Sequence, residues 1–341
     1  MATNEHFFNN VYDVVAAYNA GFAGAYSNPE AAEALRDQIK SAGGIPDGAM
    51  ACSAYSLEDS GKGKLSLPFI EILKLYPDSL PGGAQGRGDC VSWSTRNACL
   101  GTMCCDITSG EPDPNSNKLE GAPEVTDAAR LSGVLSTEAI YNWRRHGGDG
   151  WSCAEAAQVV LNDSGLWLRK KYDEIDVDFT QYSSRNAGIY GSNTPPASWR
   201  EIGKNHLVQT VTEVETYEAL RDLLANGYCV SSCGGEGFSN QRDINGVSKR
   251  QGSWGHALAY LAVDDRVEII KLYGEPLVQV QNSWGNWNEG SRRIFGTVVD
   301  IPVGSFWAKW SDIKNRYMIA ISGVNGWPPK KLKNYGALGN I

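Results

Sequence analysis

Apolar positions in the first part of the chain repeat at helical spacing, whereas those in the last part gather into short runs. Phe7, Phe8, Val11, Val14, Val15 and Tyr18 form one helical stripe within residues 5–42. Asn28-Pro29 restarts a helix, with Pro29 at its first position and Gly43-Gly44 as its stop. The spacing predicts two short helices folded as a compact hairpin. A loop-rich stretch follows as far as Gly88. Val91, Thr95, Ala98, Cys99 and Thr102 then lay small and apolar side chains along one helical face, with Asp89 placed to cap that helix. The segment between 108 and 135 is polar, and "EPDPNSN" (111–117) reads as a loop. "SCAE" at 152–155 is a capping box, so a helix runs from about 153. "TYEALRDLLANG" (216–227) is another, with Thr216 as cap and Asn226-Gly227 as stop. Beyond it "YCVSSC", "HALAYLAV", "RVEIIKLY" and "PLVQVQNSW" read as strands separated by Gly, Asp or Pro. Helices first and strands second is the order of an α+β protein with two lobes. The tail "GWPPKKLKNYGALGNI" has no apolar period and is expected to lie extended on the surface.

Composition narrows the possible functions. With 42% hydrophobic and 21% charged residues, the 341-residue chain is of ordinary soluble, folded type. Its net charge of −8 leaves no surplus of Lys and Arg to neutralise phosphates, which argues against a nucleic-acid partner. The longest apolar run is far short of a membrane span, so no membrane association is expected. The start "MATNEHFFNN" lacks the basic and apolar stretches of a secretory signal. Without such a signal, most of the eight cysteines (52, 90, 99, 104, 105, 153, 229 and 233) are expected to be buried thiols. Neither Cys104 and Cys105 nor Cys229 and Cys233 have Cys-x-x-Cys zinc spacing, and no metal or organic cofactor is expected.

One cysteine stands apart. Cys90 in "GRGDCVSWST" follows a glycine-rich approach and opens a helix, where the first N–H groups favour a thiolate. A thiol nucleophile needs a histidine to move its proton. Of His6, His146, His206 and His256, only His256 stands at the first residue of an apolar strand. Asn282, 26 residues on, ends another strand and offers an amide oxygen to fix the imidazole tautomer. In this reading the amide takes the Nδ1 proton, Nε2 faces the thiol, and Trp284 shields the bond from water.

"QGRGDCVSWS", "GHALAYLAVD" and "QNSWGNWNEG", in that order, resemble the three signatures of papain-like cysteine peptidases. The resemblance implies a helical left lobe (about 66–210) that carries the nucleophile. It also implies a β-barrel-like right lobe (about 211–322) with the histidine and asparagine, together forming a peptidase domain at 46–322. Residues 1–45 would be a helical extension and 323–341 an extended tail. By the same resemblance Cys90 is the nucleophile, His256 the general base and acid, and Asn282 the orienting residue. Gln85, with the Cys90 N–H, would bind the oxyanion. "HGGDGWSCAEAAQVVLNDSGL" resembles the family's glycine strand and following helix, which assigns substrate backbone pairing to Gly148, Asp149 and Gly150, with Trp284 beside the cleft. "GSFWAKWSDI" resembles the closing strand of bacterial and phage-type members.

The sequence departs from the family pattern in places. Gln85 lies five residues before Cys90, one fewer than usual; Arg87 stands where secreted relatives often have a disulfide cysteine; and Val91 replaces an aromatic residue. These changes point to a divergent, non-secreted member, cytoplasmic or virion-associated. Residues 1–45 are shorter than an inhibitory pro-region and lack its motif, so they are expected to leave the cleft open, packed on the flank or on a docking partner. The function implied is a cysteine endopeptidase acting on peptides or proteins. A catalytically retired papain-like protein serving as a structural component, for example of a phage particle, is the alternative. Acyl transfer of transglutaminase type is disfavoured, because such enzymes usually end the triad in aspartate and this chain has Asn282 within "NSWG".

Overall fold

The computed structural model describes residues 8, 10–41, 57–109, 134–204, 208, 210–322, 327, 329–330 and 332–338. His6, Phe7, Cys52, His206, the Gly43-Gly44 stop and the 111–117 loop lie outside them. Helix α1 (Val11–Asn19) is capped by Asn10, whose side-chain oxygen accepts from the Tyr12 and Asp13 N–H groups. Helix α2 (Pro29–Ser41) opens at Pro29, with the Asn28 side chain accepting from the Ala31 N–H at 3.1 Å. Both helices form, α1 starting at Val11 so that Phe8 of the expected stripe lies outside it, but they do not close into a hairpin. Their apolar stripes find separate partners, and residues 20–28 span the distance between.

The helical part continues through β1 (Leu65–Ser66), α3 (Phe69–Leu75) and α4 (Cys90–Ser109). Every α4 residue from Cys90 to Asp106 is buried, which is why its sequence shows only a weak polar face. Asp89 does not cap it. Its carboxylate accepts from the Tyr182 hydroxyl at 2.9 Å, and burial pushes its pKa up to about 7. Then come α5 (Glu138–Tyr141), α6 (Cys153–Asn162), the small hairpin β2 (Lys171–Tyr172) and β3 (Val177–Asp178), and α7 (Ala197–Gly203). At the start of α6 the Ser152 hydroxyl accepts from the Glu155 N–H and donates to the Glu155 carboxylate. The Glu155 half of the expected capping box is therefore spent on Ser152 itself.

The rest of the chain builds an antiparallel sheet from β4 (Thr210–Glu213), β5 (Val230–Arg242), β6 (Ser248–Asp264), β7 (Leu277–Gln281), β8 (Ser305–Lys309) and β9 (Tyr317–Ser322). The order is β4-β9-β5-β6-β7-β8, with β1 added along the end of β6. Three helices are inserted: α8 (Tyr217–Ala225), α9 (Val267–Tyr273) and α10 (Trp310–Ile313). Helix α8 has the expected Thr216 cap. Helix α9 corrects the strand reading of "RVEIIKLY". Only Ile269 is buried there, so its β-branched residues have no sheet face to fill, and Gly274 at φ 83° stops the turn.

Both faces of the sheet are covered, which explains why its strands read as continuous apolar runs. Along β6, Ala257, Ala259 and Leu261 face the cluster shared with α2, α4 and α6. Leu258, Tyr260 and Val263 face a second cluster with α1, α8 and four tryptophans, Trp254, Trp284, Trp287 and Trp327. A register shift after Tyr260 lets Ala262 join the first cluster. The class is α+β. In the tail, Trp327 and Lys330 are buried, Trp327 packing its ring 4.8 Å from that of Tyr228 and Lys330 pairing with Asp106. These residues anchor the tail, correcting the purely superficial course expected of it. No helix among the described residues is long and apolar enough to cross a membrane.

Candidate active site

Neighbouring strands β6 and β7 bring His256 and Asn282 together, with Nε2 of the ring 2.7 Å from Oδ1 of the amide. The same oxygen accepts from the Ser283 N–H at 2.7 Å, so it serves as an acceptor and Nε2 carries the proton. This reverses the tautomer read from the sequence. The distal nitrogen reaches across to the next strand, and Nδ1, nearer the backbone, is left buried with no hydrogen-bond partner. Trp284 covers the pair, its ring 4.6 Å from the imidazole and tilted by 30°. Burial holds His256 far below the ordinary imidazole value, at about 3, although the Asn282 bond pulls the other way. Arg316, which the sequence reading missed, donates to the His256 carbonyl and fixes the backbone there.

Cys90 is the first residue of α4 and its side chain is fully buried. The Tyr18 hydroxyl and the Ala257 backbone act on its sulfur in favour of the thiolate, whereas Nδ1 of the His256 ring makes no hydrogen bond to it. Burial pushes the thiol up to about 12, outweighing both. In this state the pair is a neutral thiol and a neutral imidazole. The acidified thiol expected from the helix start is absent, because an ion pair would have to form without water.

Gln85 is brought into the same site despite its short spacing from Cys90. Its side-chain amide donates to the Arg87 carbonyl at 2.7 Å and to the Tyr18 hydroxyl at 3.3 Å, and its oxygen accepts from the Ser283 hydroxyl. The amide thus points at the group that occupies the space over the thiol.

That group belongs to the N-terminal segment, which lies over Cys90 and overturns the expectation that this part of the chain leaves the site open. Tyr18 packs between the site's aromatics, with ring centres 4.6 Å from His256 and 5.0 Å from Trp284. Beyond it, the Gly24 and Ala25 N–H groups donate to the Gly255 carbonyl at 2.7 and 2.8 Å. On the opposite wall the Tyr26 N–H donates to the Trp151 carbonyl at 3.0 Å, and the Trp151 N–H to the Gly24 carbonyl at 3.1 Å. Gly24 is needed for this approach: a Cβ there would collide with the Tyr18 oxygen and lie 2.8 Å from the Cys90 sulfur.

Of the three residues expected to pair with substrate, Gly150 lies against the segment, its missing side chain leaving room for the Ala23 carbonyl. Asp149 sits behind it, paired with Arg87 at 2.8 Å, and the Gly148 carbonyl accepts from Arg144. The backbone hydrogen-bonded to the segment is that of Trp151. The run of small residues "AGFAGAYSN" (20–28) between two helices was the available signal for a segment that threads a narrow space. The sequence reading also missed a disulfide between Cys153 and Cys233; Cys90, Cys99, Cys104, Cys105 and Cys229 are free and buried.

No protein-family model matches the sequence, nor does any curated protein. Among solved structures, xylellain, a cysteine protease from Xylella fastidiosa, is similar over 71% of this chain and 82% of its own, at 18% identity and a TM-score of 0.44. The proform of the ragweed pollen cysteine protease Amb a 11 is similar over 94% and 82%, at 13% identity and a TM-score of 0.47. Digestive procathepsin L 3 of Tenebrio molitor larval midgut is similar over 92% and 88%, at 12% identity and a TM-score of 0.40. At these scores the likeness is a loose one, and the chemistry rests on the site's own geometry.

Proposed function

We propose that this chain is a papain-like cysteine endopeptidase held latent by its own residues 18–26. The observation that carries this reading is the His256–Asn282 bond under Trp284, set beside a cysteine at a helix start, with a stretch of polypeptide hydrogen-bonded along both walls of the cleft. The Tyr18 phenol covers the thiol, and the backbone of the segment passes it at Gly24.

Once a substrate replaces the segment, Nδ1 of His256 accepts the Cys90 proton and the helix start favours the thiolate. The thiolate adds to the substrate carbonyl, and the oxyanion takes the space vacated by the Tyr18 oxygen, facing the Gln85 amide and the Cys90 N–H. Nδ1–H then protonates the leaving amine as the C–N bond breaks, leaving an acyl-thioester. Water, deprotonated by Nδ1, attacks that ester, and the thiol leaves with the acid. Throughout, Asn282 holds Nε2–H and keeps the ring in one orientation.

The test compares hydrolysis of an unfolded protein substrate by the Tyr18→Ala chain with that by Tyr18→Ala/Cys90→Ser. The expected result is cleavage by the first and a loss of about 10³-fold or more in the second. Absence of cleavage by a folded Tyr18→Ala chain, with Cys90 open to alkylation, would favour a retired enzyme.

A further inference from the structure

The Cys153–Cys233 disulfide joins the two walls of the cleft. Cys153 opens α6, directly after the Trp151 wall; Cys233 lies on β5, beside the β6 stretch that carries Gly255. These are the two walls to which the covering segment is hydrogen-bonded. The helix that starts at Cys153 also carries Gln158 and Asn162, which bond to Ala31 and Gln38 of α2, so the far end of the segment is docked on the same wall. A cavity of about 330 Å³ runs between the segment and the disulfide, bounded by Ala25, Tyr26, Ala154 and Gly234 as well as by both cysteines. Just past Cys233 the β5–β6 register shifts between Gly234 and Glu236, and a side chain at Gly235 would meet little.

We propose that this disulfide is a reducible staple, holding the two walls at the spacing that grips residues 23–26 and so keeping Cys90 covered. The proposal rests on the peptidase reading only for what Cys90 does once exposed. A dithiol entering by the cavity supplies a thiolate that attacks one sulfur and breaks the S–S bond. Its second thiol then displaces the freed protein thiol from the mixed disulfide. Two electrons and two protons pass to the protein, giving two cysteine thiols and the cyclic oxidised reagent. The walls are then joined only by packing, and the segment's bonds to Gly255 and Trp151 no longer share one fixed span.

The experiment follows alkylation of Cys90 by iodoacetamide in the full chain, mapped by peptide mass. It compares the oxidised wild type, the wild type after dithiol treatment and removal of the reagent, and the Cys153→Ala/Cys233→Ala variant. The expected outcome is labelling about tenfold faster or more in the last two, a change within reach of one or two weakened hydrogen bonds. Dithiol should have no further effect on the variant. Hydrogen exchange on the wild type provides a second measure should the variant not fold. Protection at the Gly24, Ala25 and Tyr26 amides should fall on reduction while that of β6 and β7 persists. Equal labelling with unchanged protection of those three amides overturns the staple. Faster labelling without any peptide hydrolysis leaves the staple standing and removes the peptidase reading instead.

Discussion

At the scale of single residues, Cys90 and His256 are ordinary side chains made unreactive by where they sit. Burial raises the thiol to about 12 and lowers the imidazole to about 3, so each keeps its neutral form through the neutral range. The sign follows directly: the thiolate appears only as pH rises through 12, and the imidazolium only as it falls through 3. The ultraviolet thiolate absorbance of Cys90, taken as wild type minus Cys90→Ser, should therefore be absent from about pH 5 to 9 and appear in Tyr18→Ala. A thiolate band in the covered wild type near neutral pH contradicts this. Each site residue lies in a short local pattern: a glycine approach before Cys90, the opening of an apolar run at His256, and a strand end at Asn282. The strand start read at His256 is corrected, since β6 begins at Ser248 and its polar first half hides the strand from an apolar count. The ring nitrogen used by Asn282 was not legible. It depends on which neighbouring strand the imidazole reaches across to, and no stretch of sequence encodes that alone.

Among elements, the same contrast has a physical cause. Helix α8 follows from local chemistry, its Thr216 cap at one end and Gly227 at φ 75° at the other. Helix α9 misleads because its apolar residues are mostly exposed, so composition points to a strand that burial does not support. The stretch between α1 and α2 was read as a tight turn on the strength of Asn28-Pro29, which does start α2. Its course was set by where the two helices dock, α1 with the tryptophan cluster and α2 against α6 and β4. The segment passes the thiol at Gly24 with no room for one added carbon. Gly24→Ala should therefore dislodge it and speed Cys90 alkylation by about tenfold or more, with thermal unfolding of the chain little changed, since the clash is local. Labelling no faster than wild type would show that the segment does not limit access.

In the whole molecule, Trp151 of the helical part and Gly255 of the sheet lie on either side of the N-terminal segment. The segment is bonded to both, and one disulfide ties the two parts together across 80 residues of sequence. Contacts at that range are set by tertiary packing, which is why neither the cover nor the disulfide could be read from spacing. The α+β class could be, since it needs only the order of helical and strand patterns. The central claim is that Cys90 attacks a carbonyl once Tyr18 leaves the site. It is tested most directly by trapping the acyl intermediate: the Tyr18→Ala chain is mixed with an activated ester of a short peptide, quenched in acid within the first turnover, and digested for mass analysis. The account requires an acyl mass on the peptide containing Cys90, absent from Tyr18→Ala/Cys90→Ser and strongly reduced in Tyr18→Ala/His256→Ala. Ester turnover that persists in the Cys90→Ser background, or an acyl mass on any other residue, would contradict it.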